Sequence, residues 1–258
     1  MPFHENIKIA LVQTQLHWED VDANLSMFSE ILSNAQQADI FILPEMFTTG
    51  FSMQPEKFAN ESYAKGSEWL KQTAKDKQAA IVGSIMVEDK GKYYNRLLFV
   101  TPDGKSYSYD KKHLFSLGNE QEHYSAGENL LTVEYLGWKI RPLICYDLRF
   151  PVWSRNTSDY DLLIYVANWP QKRIPHWRSL LIARAIENQC YVVGCNRIGT
   201  DANGIAHNGN SIVVDYSGDT LQEDSQNPIV LYQELSKNLL SKYKKHFPFL
   251  SDRDSFYF

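Results

Sequence analysis

Three stretches far apart in the chain each set one reactive side chain beside a strand-like run. They are Leu43-Pro44-Glu45, Tyr109-Asp110-Lys111-Lys112-His113-Leu114 and Ile144-Cys145-Tyr146-Asp147-Leu148-Arg149-Phe150. Together they offer a carboxylate, an ammonium and a thiol, a complete set of groups for attacking a carbon–nitrogen bond. A thiol attacks as its thiolate, so Cys145 requires a base within reach. The tetrahedral oxyanion that results requires a donor aimed at it. Glu45 can serve as the base and Lys111 as the donor. Taken singly, a Glu after Leu-Pro or a Lys pair is ordinary surface, and a lone Cys after apolar residues is a small buried hydrophobe. All three occur in one chain, each at a strand end, and that combination points to chemistry.

Glu, Lys and Cys in this order, inside L-P-E, Y-x-K-x-H-L and C-Y-D-x-R-F-P, resemble the motifs of the nitrilase superfamily of carbon–nitrogen hydrolases, and the resemblance runs from Ile7 to about Ser236. Two flanking segments, Glu45-Met46-Phe47-Thr48-Thr49-Gly50-Phe51 and Val166-Ala167-Asn168-Trp169-Pro170, are similar to the omega-amidase branch. Members of that branch hydrolyse the distal amide of 2-oxoglutaramate or 2-oxosuccinamate. The resemblance implies a small-molecule amide substrate, no cofactor and a thioester on Cys145. It makes Glu45 the base and Lys111 the oxyanion donor, helped by the backbone N–H of Tyr146. It also implies a second glutamate in the loop Gly118-Asn119-Glu120-Gln121-Glu122-His123-Tyr124. Glu120 is assigned that role, with Glu122 as the alternative, holding Lys111 through charge-assisted hydrogen bonds. Phe47, Thr48, Phe51, Tyr124 and Trp169 are candidate walls of the substrate pocket. Arg173, or else Lys172, is the candidate fork for a substrate carboxylate, and Arg149 reads as a structural ion-pair partner.

Other readings are weighed beside this one. Nitrile, aliphatic amide or N-carbamoyl hydrolysis would use the same three groups. A catalytically idle relative that binds a small acid or a protein would require a broken set, and here the set is whole. His113, His176 and His207 invite a Cys–His mechanism, but none has a recognisable partner motif. There is no Cys-x-x-Cys and no His-x-x-x-His, so no metal is expected.

The elements that must position these residues follow from hydrophobic periodicity. Strands are expected at Lys8–Gln13, Asp39–Leu43, Ala80–Val87, Lys139–Cys145, Asp161–Ala167, Tyr191–Cys195, Ser211–Asp215 and Ile229–Glu234. Tyr94–Val100 and Lys105–Asp110 read as a hairpin turned by Pro102-Asp103-Gly104. Helices are expected at Asp22–Gln37, at Tyr63–Lys77, from Pro151, and from Pro175 to about Asn188. Apolar strands alternating with amphipathic helices imply an α/β fold with covered sheets. The resemblance sharpens this to the four-layer α-β-β-α sandwich of the superfamily.

At 258 residues the chain is expected to be a single carbon–nitrogen hydrolase domain, 1–258. The net charge of −5 and pI near 5.8 argue against a nucleic-acid partner. No apolar run approaches the roughly 20 residues of a membrane span, and Met1 to Asn6 lack the pattern of a signal peptide. Cys190 and Cys195 would face opposite ways on an extended strand and should not pair. These features give the expectation of a reduced, cytoplasmic protein. Aromatics in the tail Ser241 to Phe258, including Phe247, Phe249, Phe256 and Tyr257, are candidates for docking on the core or on a second subunit. A homodimer is what the resemblance implies.

Overall fold

Along β1 (Asn6–Gln13), Ile9 and Leu11 point to one face while Ala10 and Val12 point to the other, and all four are buried. A strand apolar on both faces must be covered on both. The computed structural model describes residues 4–254, so Phe256, Tyr257 and both ends of the expected 1–258 domain lie outside the described residues. After β1 come α1 (Val21–Asn34), β2 (Ile40–Ile42), α2 (Pro55–Lys77), β3 (Ala80–Asp89), β4 (Lys92–Val100), β5 (Ser106–Asp110), α3 (Glu120–His123), β6 (Val133–Tyr135) and β7 (Trp138–Ile144). The chain continues through α4 (Pro151–Ser154), β8 (Leu162–Ala167), α5 (Ile174–Asn188), β9 (Tyr191–Asn196), β10 (Ile198–Thr200), β11 (Ala206–Val214), β12 (Thr220–Ser225), β13 (Ile229–Ser236) and α6 (Lys237–His246).

Among the described residues the strands form two sheets. One runs in the order β13-β1-β2-β3-β4-β5, the other β10-β11-β9-β8-β7-β6, with β12 beside β11. Their inner faces share one core, in which Ile9, Leu11, Ile42 and Val82 of the first sheet join Ile144, Ile164, Val166 and Val193 of the second. The Cys195 thiol crosses this interface to the Ile42 carbonyl at 3.3 Å. On the outside of the first sheet, Phe28 and Leu32 of α1 and Leu70 and Ala74 of α2 cover Ala10, Val12, Phe41 and Ile81. Each large side chain buried there contributes about 1.5–3 kcal/mol. On the outside of the second sheet, α5 lays Trp177, Leu181 and Ala185 against β9 and β11. The result is the four-layer α-β-β-α sandwich.

Several boundaries differ from the sequence reading. α2 starts at Pro55 rather than Tyr63, because Pro at the first helical position needs no N–H partner. The helix expected from Pro151 is a single turn, and Pro175 is the second residue of α5 rather than its first. The tail beyond Ser236 begins as α6, whose N-terminus is capped by the Ser236 side chain. Phe247 and Phe249 stack on one another and remain partly exposed. Cys145, Cys190 and Cys195 are all free thiols.

Candidate active site

The reactive residues sit just beyond the carboxyl ends of strands. β2 leads to Leu43-Pro44-Glu45, β5 to Lys111, β7 to Cys145 and β8 to Asn168. β2 is parallel to β3, and two antiparallel steps through β4 return β5 to the same direction. β7 and β8 are likewise parallel. Strand ends of both sheets open into one cavity of about 850 Å³, lined by Glu45, Lys111, Cys145 and Asn168. Ligands of open α/β sheets bind at such carboxyl ends.

Glu45 is wholly buried. Its Oε1 accepts hydrogen bonds from Asn95 Nδ2 and Lys111 Nζ, both at 2.8 Å. Its Oε2 accepts from the Asn168 N–H at 2.8 Å, and Asn168 Nδ2 donates to the Glu45 carbonyl at 2.7 Å. A carboxylate bonded on both oxygens has one orientation left, which a positioned base requires. Lys111 is buried with it and also donates to both oxygens of Glu120, at 3.0 and 2.9 Å. Burial alone would lower the lysine pKa, but Glu120 and then Glu45 outweigh it and raise the value above the ordinary one. Lys111 is therefore a fixed cation. Glu120 is lifted by burial and by Glu45, against the pull of Lys111. Its Oε2 also accepts the Phe115 N–H at 2.6 Å, which fixes the loop to the lysine.

Cys145 opens a tight 3-10 turn, Cys145–Arg149, with φ of +40°. That conformation costs a residue with a Cβ about 1–3 kcal/mol, and such strain concentrates at functional positions. Burial, reinforced by the Glu45 charge, pushes the Cys145 thiol well above its ordinary value, with Lys111 opposing. The resting nucleophile is thus a neutral thiol whose proton must be removed. Tyr146, second in the turn, carries a leading N–H that the turn itself leaves unpaired.

Asp147 ties the lysine segment to the nucleophile turn. It accepts from Tyr109 Oη at 2.7 Å, from the His113 N–H at 3.0 Å and from the Ile144 N–H at 3.1 Å, while His113 Nδ1 lies 2.8 Å away. Trp153 Nε1 donates to the same Tyr109 oxygen at 2.9 Å. His113 is thereby occupied and stacked on Phe150. His176 faces Arg149 at 3.3 Å, and His207 lies in another part of the cavity wall. Among the described residues no histidine is hydrogen-bonded to Cys145, and no group of three His, Cys, Asp or Glu could hold a metal ion.

The expected pocket residues divide. Phe51, Trp169 and Arg173 line the cavity. Phe47, Thr48 and Tyr124 do not, and those three assignments are corrected. Met46 takes φ of +46° and turns the chain just after Glu45. Phe47 consequently packs on Phe28 and Trp69 beneath the helices, and the Thr48 hydroxyl pairs with Ser62 of α2 at 2.7 Å. Tyr124 is buried beside Met46 and Phe58 and donates to the Ser52 carbonyl at 2.8 Å. All three brace the Glu45 loop from behind. Glu120, rather than exposed Glu122, meets Lys111, and Lys112 points away over Trp153. Arg149 has no carboxylate partner among the described residues. It lines the cavity with its guanidinium over the Trp169 ring at 4.9 Å. Asn95 and Asn168, which hold Glu45, carried one sequence signal, a polar residue inside or ending an apolar strand.

The family model for carbon–nitrogen hydrolases matches residues 8–245, and the chain belongs to that family. Within it, the chain is 46% identical to the omega-amidase YafV of Yersinia enterocolitica over 251 residues, 97% of this chain and 98% of that protein. It is 36% identical to a 2-oxoglutaramate amidase of Bacillus subtilis over 227 residues, 86% and 87% of the two chains. A crystal structure of a CN-hydrolase superfamily protein from Xanthomonas campestris, with an arsenic adduct in its active site, matches with a TM-score of 0.94. Its sequence is 39% identical, and the match covers 99% of this chain and 100% of that one. The expected superfamily and its sandwich architecture both hold. Among the described residues no helix is long and apolar enough to cross a membrane.

Proposed function

We propose that this chain is an omega-amidase, hydrolysing the distal amide of 2-oxoglutaramate or 2-oxosuccinamate to the 2-oxo acid and ammonia. The observation that carries the reading is the contact of a buried lysine with both Glu45 and Glu120 beside a strained cysteine, in a chain so similar to omega-amidases. Glu45 takes the thiol proton as Cys145 Sγ bonds to the amide carbon. Lys111 Nζ and the Tyr146 N–H receive the oxyanion. Glu45 passes that proton to the departing nitrogen, the carbon–nitrogen bond breaks, and ammonia leaves a thioester behind. A water then loses a proton to Glu45 and attacks the thioester carbon. The tetrahedral intermediate expels the sulfur, which recovers its proton, and the acid is released. Lys111 and Glu120 exchange no proton in this cycle; Glu120 keeps the ammonium in place.

Phe51 and Trp169 flank the substrate chain, while Arg149 and Arg173 at the cavity give it the positive potential that draws in an anion. The reading extends to a single 1–258 domain acting in the cytoplasm as a homodimer. Sedimentation at monomer mass across concentrations would remove the dimer. The decisive assay is ammonia release from 2-oxoglutaramate, glutamine, a simple nitrile and an N-carbamoyl amino acid, for native protein and Cys145→Ala. Turnover of the keto-acid amide, abolished in the variant, is the expected result. Turnover confined to another substrate would discard the omega-amidase assignment and keep the mechanism.

A further inference from the structure

Besides the catalytic groups, the cavity wall includes the turn between β10 and β11, Asp201 and Asn203 to Ala206, and His207. Behind that wall lies Arg197, wholly buried, with Nη1 and Nη2 both lacking a hydrogen-bond partner. Its Nε donates to the carbonyl of the next residue, Ile198, at 3.1 Å. Asp201 is the acid that acts on Arg197, yet it forms no ion pair with it, and Asp201 Oδ1 accepts the N–H groups of Asn203 and Ile205, both at 2.9 Å. His207 is buried too; the Ile205 and Gly199 backbone act on its ring, while Nδ1 itself makes no hydrogen bond. A guanidinium taken out of water without an ion-pair partner is costly, so its retention where it acts on His207 of the cavity wall calls for a use.

The use follows from what separates a 2-oxo acid amide from glutamine or asparagine. The acyl chains and carboxylates are alike, and only the second carbon differs, bearing a carbonyl oxygen in one and an ammonium in the other. We infer that His207 and Arg197 discriminate at that carbon: His207 Nδ1–H donates to the 2-oxo oxygen, and the uncompensated charge of Arg197 repels an ammonium in the same place. Specificity by repulsion needs the cation to be free of a direct ion pair. Asp201 on the same wall keeps its Oδ1 on the backbone N–H groups of its own turn instead. The imidazole must also stay neutral so that it does not compete for the anion at the far end of the substrate. Burial and Arg197 lower its pKa to about 4. The inference rests on the omega-amidase reading for its choice of substrate and names two residues that set specificity within it.

The test uses acids that differ only at the second carbon. Native protein is treated with iodoacetamide, and protection of Cys145 by 2-oxoglutarate, glutarate and L-glutamate is followed by mass, as the concentration giving half protection. Native protein should rank them 2-oxoglutarate, then glutarate, then glutamate, each step at least about tenfold. Arg197→Met should collapse the glutarate–glutamate step, with Arg197→Lys restoring it. His207→Phe should collapse the step between 2-oxoglutarate and glutarate. Arg149→Met should weaken all three acids together. Steps that persist in a folded Arg197→Met or His207→Phe protein, or a native protein that none of the acids protects, would overturn the inference. If Arg197→Met fails to fold, Arg197→Gln, which removes the charge and keeps a polar side chain, takes its place and should collapse the same step. An enzyme inactive on 2-oxoglutaramate that keeps the ranking, and loses it in these variants, would discard the omega-amidase reading while the discrimination stands.

Discussion

Lys111 is where the stability of the site and its chemistry meet. It stands between two buried carboxylates, and the proposed cycle moves negative charge past it from Glu45 to sulfur to the carbonyl oxygen without changing the total. Removing the cation leaves Glu45 and Glu120 buried with no positive charge between them. Lys111→Met should therefore destabilise the fold by about 3–5 kcal/mol. Adding Glu120→Gln should recover a large part of that loss in urea unfolding while ammonia release stays absent. A single variant as stable as native protein would show that the cluster is not held as an ion triad. Cys145 gives a second prediction. Burial and Glu45 keep its thiol protonated, so the thiolate absorbance near 240 nm, read as native protein minus Cys145→Ser, should grow only above the ordinary thiol range. A thiolate already present at neutral pH would leave Glu45 nothing to do in the first step. Glu45, Lys111, Cys145 and Glu120 were legible in the sequence because their residue types are reactive and their spacing repeats a known pattern. Asn95, Asn168 and Arg197 were not, since an amide or a guanidinium announces no chemistry until its partners, or the lack of them, are seen. Phe47 and Thr48 misled because neighbours of Glu45 in sequence are turned away from it by the left-handed backbone at Met46.

At the scale of elements, half-exposed β5 was read from its hairpin turn, whereas β2, β7 and β8 were readable because each is buried on both faces and so reads as an apolar run. β12, Thr220–Ser225, was missed for the opposite reason: it lies at the margin of the second sheet, where Thr220, Leu221 and Gln222 are exposed. The outer layers depend on close approach. α5 rests on β9 at Gly194, where a Cβ would lie 2.5 Å from Trp177 Cζ2 and 2.6 Å from Leu181 Cδ1. Both side chains are locked in the core, so neither can swing aside at low cost. Gly194→Ala should lift α5 from the sheet and destabilise the protein by about 1–3 kcal/mol in urea unfolding. The shift would also reach the site, because Asn196, two residues on, accepts the Trp169 N–H at 2.7 Å and donates to the Trp169 carbonyl at 3.1 Å. A variant of native stability would mean that the helix packs more loosely than this contact implies.

For the whole molecule, the buried wall behind the cavity sets how the fold responds to acid. Of the chain's seven histidines, His207 is the one buried in that wall. Folded, it resists protonation down to about pH 4, because burial first and then the Arg197 charge disfavour the imidazolium, with Asp201 opposing. Unfolded, it takes a proton near its ordinary value of about 6.5. Above that pH both states hold the neutral ring and the full stability is present. As pH falls from about 6.5 to about 4, only the unfolded chain gains the proton, so the folded state loses on the order of 3 kcal/mol. Below the folded value both states are protonated and the loss stops. The prediction is read as a difference between native protein and His207→Phe, so that carboxylates common to both cancel. In urea unfolding at a series of pH values, native minus variant should be flat above about pH 6.5 and fall steadily toward pH 4. A difference that stays flat throughout would mean that His207 accepts its proton in the folded state. The wall would then carry a second positive charge at neutral to mildly acid pH, and the Arg197 field would not be the one that the substrate meets.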